Sequence, residues 1–241
     1  MEPLADSEIE RILVVTAHPD DLDFGAGGTI AQWAAKGISI SYYICTNGDQ
    51  GGVDPSITRE EMRAIRQREQ RAAGAVFGVT DINFLNYRDG WLEPTIMLRK
   101  DIVRAIRTVR PQRMLIQSPE RNWDRLGASH PDHLAAGEAA IQAIYPDSGN
   151  QFAFEDLLHD EKLEPWQINE AWVFMAEKTD HVVDITDTFD KKLAAIKAHV
   201  SQTAHNAELD DRIREWGLRN GEAAGLPAGR YAETFKIVKV S

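Results

Sequence analysis

One imidazole and two carboxylates stand within four residues at Ala17-His18-Pro19-Asp20-Asp21, and a second group, His130-Pro131-Asp132-His133, follows far downstream. Together they offer a metal site with a carboxylate to spare. One His and one carboxylate from the first group plus one His from the second make three protein ligands. A fourth position then remains for water, the pattern of a catalytic zinc site. Asp20 and Asp21 are adjacent and should point differently, so one can ligate while the other holds water. A free carboxylate within hydrogen-bond reach can take the proton of that water. An imidazole opposite can stabilise an oxyanion or protonate a leaving amine. The chemistry is metal-assisted hydrolysis. Cys45 is the only thiol, which argues against a closed, Cys-rich structural site.

The elements that must position these groups alternate along the chain. Ile12 to Ala17 reads as a strand buried on both faces. A helix is expected from Thr29 to Lys36, capped by Gly37, and a second strand from Ile38 to Thr46. Asn47 to Gly52 is a loop. Thr58 and Glu61 form a capping-box pattern that opens a long helix ending near Gly78. Ile82 to Leu85 is strand-like, Pro94 starts a helix, Met114 to Ile116 is a fourth strand, and Asp132 to Ile144 is helical. The stretch 145–167 predicts an irregular excursion, a rim over the site. Short strands follow at Ala171 to Met175 and His181 to Ile185. Then come a helix from Phe189 to Thr203, a charged helix from Glu208 to Asn220, and a strand from Phe235 to Val240 at a sheet edge. This alternation predicts an α/β fold, a three-layer sandwich with a mostly parallel central sheet. In such sheets ligands bind beyond the carboxyl ends of the strands, where both histidine groups fall.

The bulk numbers narrow the field further. With 241 residues and no boundary or repeat in view, one domain spanning residues 1–241 is expected. A hydrophobic fraction of 43% and a charged fraction of 27% are ordinary for a globular chain. The formal charge of -11 disfavours nucleic acid as a partner. The N-terminus is acidic without a secretory apolar core, and no stretch suits a bilayer span, so a cytoplasmic protein without membrane insertion is expected.

The two histidine groups also carry a resemblance. Ala17 to Asp21 is similar to the AHPDD motif, and His130 to His133 to the HPDH motif, of the PIG-L/LmbE family of zinc-dependent N-deacetylases. Further stretches resemble that family: Thr46 to Gly51, Arg66 and Glu69 with Ala73 and Phe77-Gly78, Tyr87-Arg88-Asp89-Gly90, and His199-Val200-Ser201-Gln202. The resemblance implies a Rossmann-like fold, one Zn2+ per chain with Fe2+ as the other candidate, and a small amino-sugar substrate. It implies removal of acetyl from N-acetylglucosamine groups, with homotrimers or hexamers as the assemblies to expect. Carried over residue by residue, it gives the metal to His18, Asp21 and His133 and the general base to Asp20. His130 becomes the oxyanion partner or acid, with Asp132 orienting it. Arg66, Asp89 and Asp49 take substrate-binding roles. Leu22 departs from the pattern, since many members carry Glu there, and Asp23 is the residue expected to compensate.

Other readings compete. Asp132 near a helix start also suits the helix dipole, and Arg66 and Glu69 suit a solvated helix face. His159, His181 and His205 read as surface or packing residues, while Trp91 and Trp123 lie on loops where they can stack on a sugar ring. Within the family, an amidase acting on a sugar-thiol conjugate is the nearest rival. From another class comes nucleotide binding, because Gly25-Ala26-Gly27-Gly28 follows the first strand. Its glycine pattern is incomplete at Ile30, and the carboxylates upstream would repel a pyrophosphate. A two-His-one-carboxylate iron oxygenase shares the ligand set, but it has no use for the extra base.

Overall fold

The apolar run after Glu10 forms the central strand, and its alternate residues feed two separate cores. The structure is a computed structural model that describes residues 2–240. Its strands are β1 (Arg11–Thr16), β2 (Ser39–Thr46), β3 (Asp81–Tyr87), β4 (Arg113–Gln117), β5 (Glu170–Phe174), β6 (His181–Asp184) and β7 (Ala232–Lys239). Its helices are α1 (Asp21–Ala35), α2 (Arg59–Phe77), α3 (Ile96–Val109), α4 (Pro131–Gln142), α5 (Glu155–His159), α6 (Phe189–Ala198), α7 (Val200–Thr203) and α8 (Leu209–Ala223). The strands form one sheet in the order β3-β2-β1-β4-β5-β7-β6. Ile12 and Val14 pack with α1 and α2 on one face, while Leu13 and Val15 pack with α3 and α4 on the other. Each such side chain removed from water contributes roughly 1.5–3 kcal/mol. The expected three-layer α/β sandwich is the fold observed. Among the described residues no helix is long and apolar enough to cross a membrane.

The chain leaves β1 toward β2 on one side, and β4 pairs with β1 on the other. The strand order therefore reverses between β1 and β4, the place where open α/β sheets bind ligands. Gln117 Oε1 accepts the Ala17 N–H at 2.7 Å and ties the two strand ends together there.

Four local expectations are corrected. Helix α1 begins at Asp21, eight residues before the expected start, and takes in the glycine run. A Cβ at Gly25 would sit 2.2 Å from Phe174 Cδ2, and one at Gly28 would sit 2.7 Å from Ile185 Cβ. These glycines serve close packing of a helix, not a phosphate loop, so the nucleotide-binding reading loses its motif. Strand β7 starts at Ala232 and lies inside the sheet, antiparallel to both β5 and β6; β6 takes the edge.

The third correction concerns the 145–167 excursion, which does not overhang the site. It joins the C-terminal end of α4 to the N-terminal end of β5, so it lies at the opposite end of the sheet from the histidine groups. Trp166 Nε1 donates to Pro111 O just before β4, and Arg107 donates to the Asp147, Ser148, Asn150 and Ala153 carbonyls to pin the excursion. Finally, the helix expected from Phe189 to Thr203 is broken at His199, whose ψ of 61° ends α6 and turns its ring inward.

Candidate metal centre

Three donors meet on one side of the His18 ring. His18 Nδ1 lies 3.2 Å from His133 Nε2 and 3.5 Å from Asp21 Oδ2, and His133 Nε2 lies 3.0 Å from Asp21 Oδ1. A tetrahedral ion with bonds of about 2.0–2.1 Å spaces its donors about 3.3–3.4 Å apart; the two ring nitrogens stand close to that spacing, and Asp21 presents one oxygen toward each ring. Two ring nitrogens and a carboxylate this close need a cation among them, either a proton or a metal ion. The local structure explains the convergence. Asp21 is the first residue of α1, and the His18 N–H donates to its Oδ2 at 2.6 Å. His133 lies in the first turn of α4, which starts after β4 at the same sheet edge.

The other face of His18 is closed by acids. Its Nε2 lies 3.0 Å from Asp89 Oδ1 and 3.2 Å from Asp132 Oδ2. Asp132 also accepts the Gly90 and Leu92 N–H groups, and Asp89 accepts the Gln50 N–H. These carboxylates keep the His18 proton on Nε2 and leave the Nδ1 lone pair for a cation, as carboxylates behind metal-bound histidines do. The geometry corrects the expectation that Asp132 orients the His130 ring: the Asp132 carboxylate faces His18. The Asp132 backbone N–H instead donates to His130 Nδ1 at 3.2 Å. That bond places the proton of a neutral His130 on Nε2. His130 and the Asp89–Asp132 pair also fall within ligand reach of His18. The Asp89–Asp132 pair faces the opposite nitrogen of His18 from His133, and His130 Nδ1 already accepts the Asp132 N–H.

The residues expected to touch substrate are buried in contacts within the chain. Arg66 donates to Gly48 O at 2.9 Å, Pro19 O at 2.5 Å and Asp20 Oδ2 at 2.8 Å. Asp49 is held by Arg59 at 2.9 and 3.1 Å. Asp89 backs His18 instead of facing the cleft. Trp123 and Trp91, 81% and 66% exposed, stay free of the core. Gln70, which sequence reasoning missed, accepts the Asp20 N–H at 2.8 Å and donates to Asp23 Oδ2 at 3.0 Å. Its signal was the helical spacing of four from Arg66. Leu22 is core, and Asp23 is buried against Gln70 and His199. Asp20 itself has φ 91°, a backbone conformation that costs a non-glycine residue roughly 1–3 kcal/mol.

The electrostatics follow from these contacts. Burial alone would lower His18, but Asp21, Asp132 and Asp89 outweigh it and hold the ring well above the usual histidine range. Burial likewise opposes His133, and Asp21 prevails and raises it. Burial works against Asp21 as well, yet His133 and His18 draw its carboxyl well below the ordinary range. Burial and the neighbouring Asp21 push Asp20 up, against the pull of Arg66. Burial and His18 lower His130. Protons and a metal ion compete for the lone pairs of His18 and His133. Both rings keep protons to a higher pH than a free histidine, so metal affinity should fall about tenfold or more between pH 8 and pH 6. Chelator competition measures this; a flat profile would contradict the ligand set.

The family model of PIG-L, described as GlcNAc-PI de-N-acetylase, matches residues 13–144. Diacetylchitobiose deacetylase of Thermococcus kodakarensis is 32% identical over 96% of this chain and 84% of its own length. A probable N-acetyl-alpha-D-glucosaminyl L-malate deacetylase 2 of Bacillus cereus is 31% identical over 90% of this chain and 92% of its own. The solved N,N'-diacetylchitobiose deacetylase of Pyrococcus horikoshii superposes with a TM-score of 0.88 at 30% identity, covering 97% of this chain and 85% of that one.

Proposed function

The chain belongs to the PIG-L family, and from that premise we propose that it is a zinc-dependent hydrolase of an N-acetylglucosamine-type amino sugar or its conjugate. It is an N-deacetylase, a hydrolase of a linear amide bond. The observation that carries the reading is the meeting of His18, Asp21 and His133 within 3.0–3.5 Å of one another, with the Asp20 carboxylate, held at one oxygen by Arg66, next in the chain. Those three residues would hold the zinc, which when bound lowers the pKa of a water to about 7 and polarises a carbonyl.

The remaining steps belong to the chain's own side chains. Asp20 takes the proton of the attacking water. Arg66 engages its Oδ2 and leaves Oδ1 for that proton. An upward-shifted carboxyl suits this role, since a base works best with a pKa near the operating pH. His130, kept neutral by burial and His18, offers Nε2–H as a hydrogen bond to the oxyanion of the tetrahedral intermediate, and the proton that Asp20 took from the water passes to the leaving nitrogen. Asp89 and Asp132 fix the His18 ring. Acetate and a free amine leave.

A cleft of about 1000 Å³ opens beside His133, lined among others by Arg125, Met175, Gln202, Lys192 and Trp216. Its size is at the upper end for small-molecule sites and supports a substrate longer than one sugar ring. The test is release of acetate and amine in equal amounts from a panel of N-acetylglucosamine, N,N'-diacetylchitobiose, and the malate and inositol conjugates. We expect turnover of at least one member without need of oxygen, abolished by chelation and restored by zinc. A zinc-loaded protein that releases acetate from none of them would overturn the assignment.

A further inference from the structure

The Asp20 backbone is strained, and something must hold it. Gln70 lies fully buried on α2, one turn after Arg66, and bridges two partners of opposite character. On one side the Asp20 N–H can only donate; on the other the Asp23 carboxylate accepts. Only an amide oriented with its oxygen toward Asp20 and its nitrogen toward Asp23 satisfies both. Asp23 is itself fixed by a second donor, His199 Nε2, at 2.8 Å. His199 reaches it because the chain breaks between α6 and α7 at that residue, and both Asp23 and His199 are fully buried. Glu69, beside Gln70, accepts from the Ser201 N–H and Oγ–H, which clamps α7 onto α2.

We propose that Gln70, backed by Asp23 and His199, is a positioning residue that holds Asp20 in its left-handed backbone conformation and so aims the carboxylate of the base at the metal centre. The proposal rests on the reading of Asp20 as the base. Arg66 fixes one oxygen of the side chain and Gln70 fixes the main chain, so the carboxylate is held at both ends. Without the Gln70 acceptor, Asp20 relaxes to negative φ and its carboxylate swings away, while His18, Asp21 and His133 keep their own contacts. A displacement of about 1 Å at a catalytic group can cost a hundredfold in rate.

The test is a double-mutant cycle on the zinc-loaded protein. Gln70→Met, of similar length and without the amide, should keep one zinc per chain and a KM within about threefold. Its kcat should fall about 10- to 100-fold. In an Asp20→Asn background the same change should lower kcat no further, because the group it aims is already gone. An equal loss in both backgrounds, or a wild-type kcat in Gln70→Met, overturns the proposal. A crystal structure of the variant gives a reading independent of turnover: Asp20 is expected at negative φ, and an unmoved Asp20 is equally fatal. If Gln70→Met does not fold, Gln70→Leu, which also lacks the acceptor for Asp20, is read in the same cycle with the same outcomes. Activity retained in Asp20→Asn alone would sink the base assignment, and the φ of Asp20 would then still decide the positioning.

Discussion

Asp20→Asn should leave the zinc content at one per chain and lower kcat by about 10²- to 10⁴-fold, the span over which a positioned acid or base contributes. The substitution preserves shape. An Asn oxygen can still accept from Arg66, and the Asp20 backbone keeps its bond to Gln70. What disappears is the lone pair basic enough to take a proton. KM should move little, because Asp20 is assigned no contact with the sugar. The pH profile gives a second reading. A base loses function as it protonates, and burial with Asp21 nearby raises this carboxyl above the ordinary Asp range. The acidic limb of wild-type kcat, measured at saturating zinc, should report that protonation, and the limb should be missing from the variant. Unchanged kcat would remove Asp20 from the proton transfer; loss of zinc would make it a ligand instead.

How much of this could be read from the chain depends on where the determining contact lies. The run Ile12 to Val15 is apolar at every position, which is the signature of a strand covered on both faces, so β1 and the group after it were legible. The start of α1 was not. Gly25 and Gly28 weaken local helix propensity, and their reason for being there is Phe174 and Ile185, about 150 residues away in sequence. The place of the 145–167 excursion was within reach of topology alone. A link from a crossover helix to the next parallel strand must lie at the amino edge of the sheet, away from the site. Asp132 shows the limit of adjacency. Residues two apart near a helix start project to different sides, so its carboxylate turns from His130 to His18. The buried roles of Arg66, Asp49 and Asp89 have the same origin. A charged residue in a motif reads equally well as a contact to substrate or as a brace beneath the site, and only its partners decide.

His133→Ala should weaken zinc binding by well over about a hundredfold, more than the 10- to 100-fold typical of losing a residue behind a ligand, and bring turnover to background. His133 is partly exposed in the first turn of α4, so its removal opens no cavity in the core. The apoprotein should still fold. What remains is Asp21 facing His18 alone, and two donors do not hold a catalytic ion that needs three. The prediction also decides between two ligand sets that geometry brings close together, since His130 lies within reach of the same ion as His18 and His133. If Asp21 is the third ligand, His130→Ala keeps its zinc and loses rate, because His130 Nδ1 is already taken by the Asp132 N–H. If His130 is the third ligand, His130→Ala loses the metal as His133→Ala does, and Asp21→Asn keeps it. Zinc counted by mass spectrometry under native conditions for the three variants separates the cases. The pairing of Asp21 Oδ1 with His133 Nε2 at 3.0 Å sets the expectation that metal is lost with Asp21 and His133 and retained without His130.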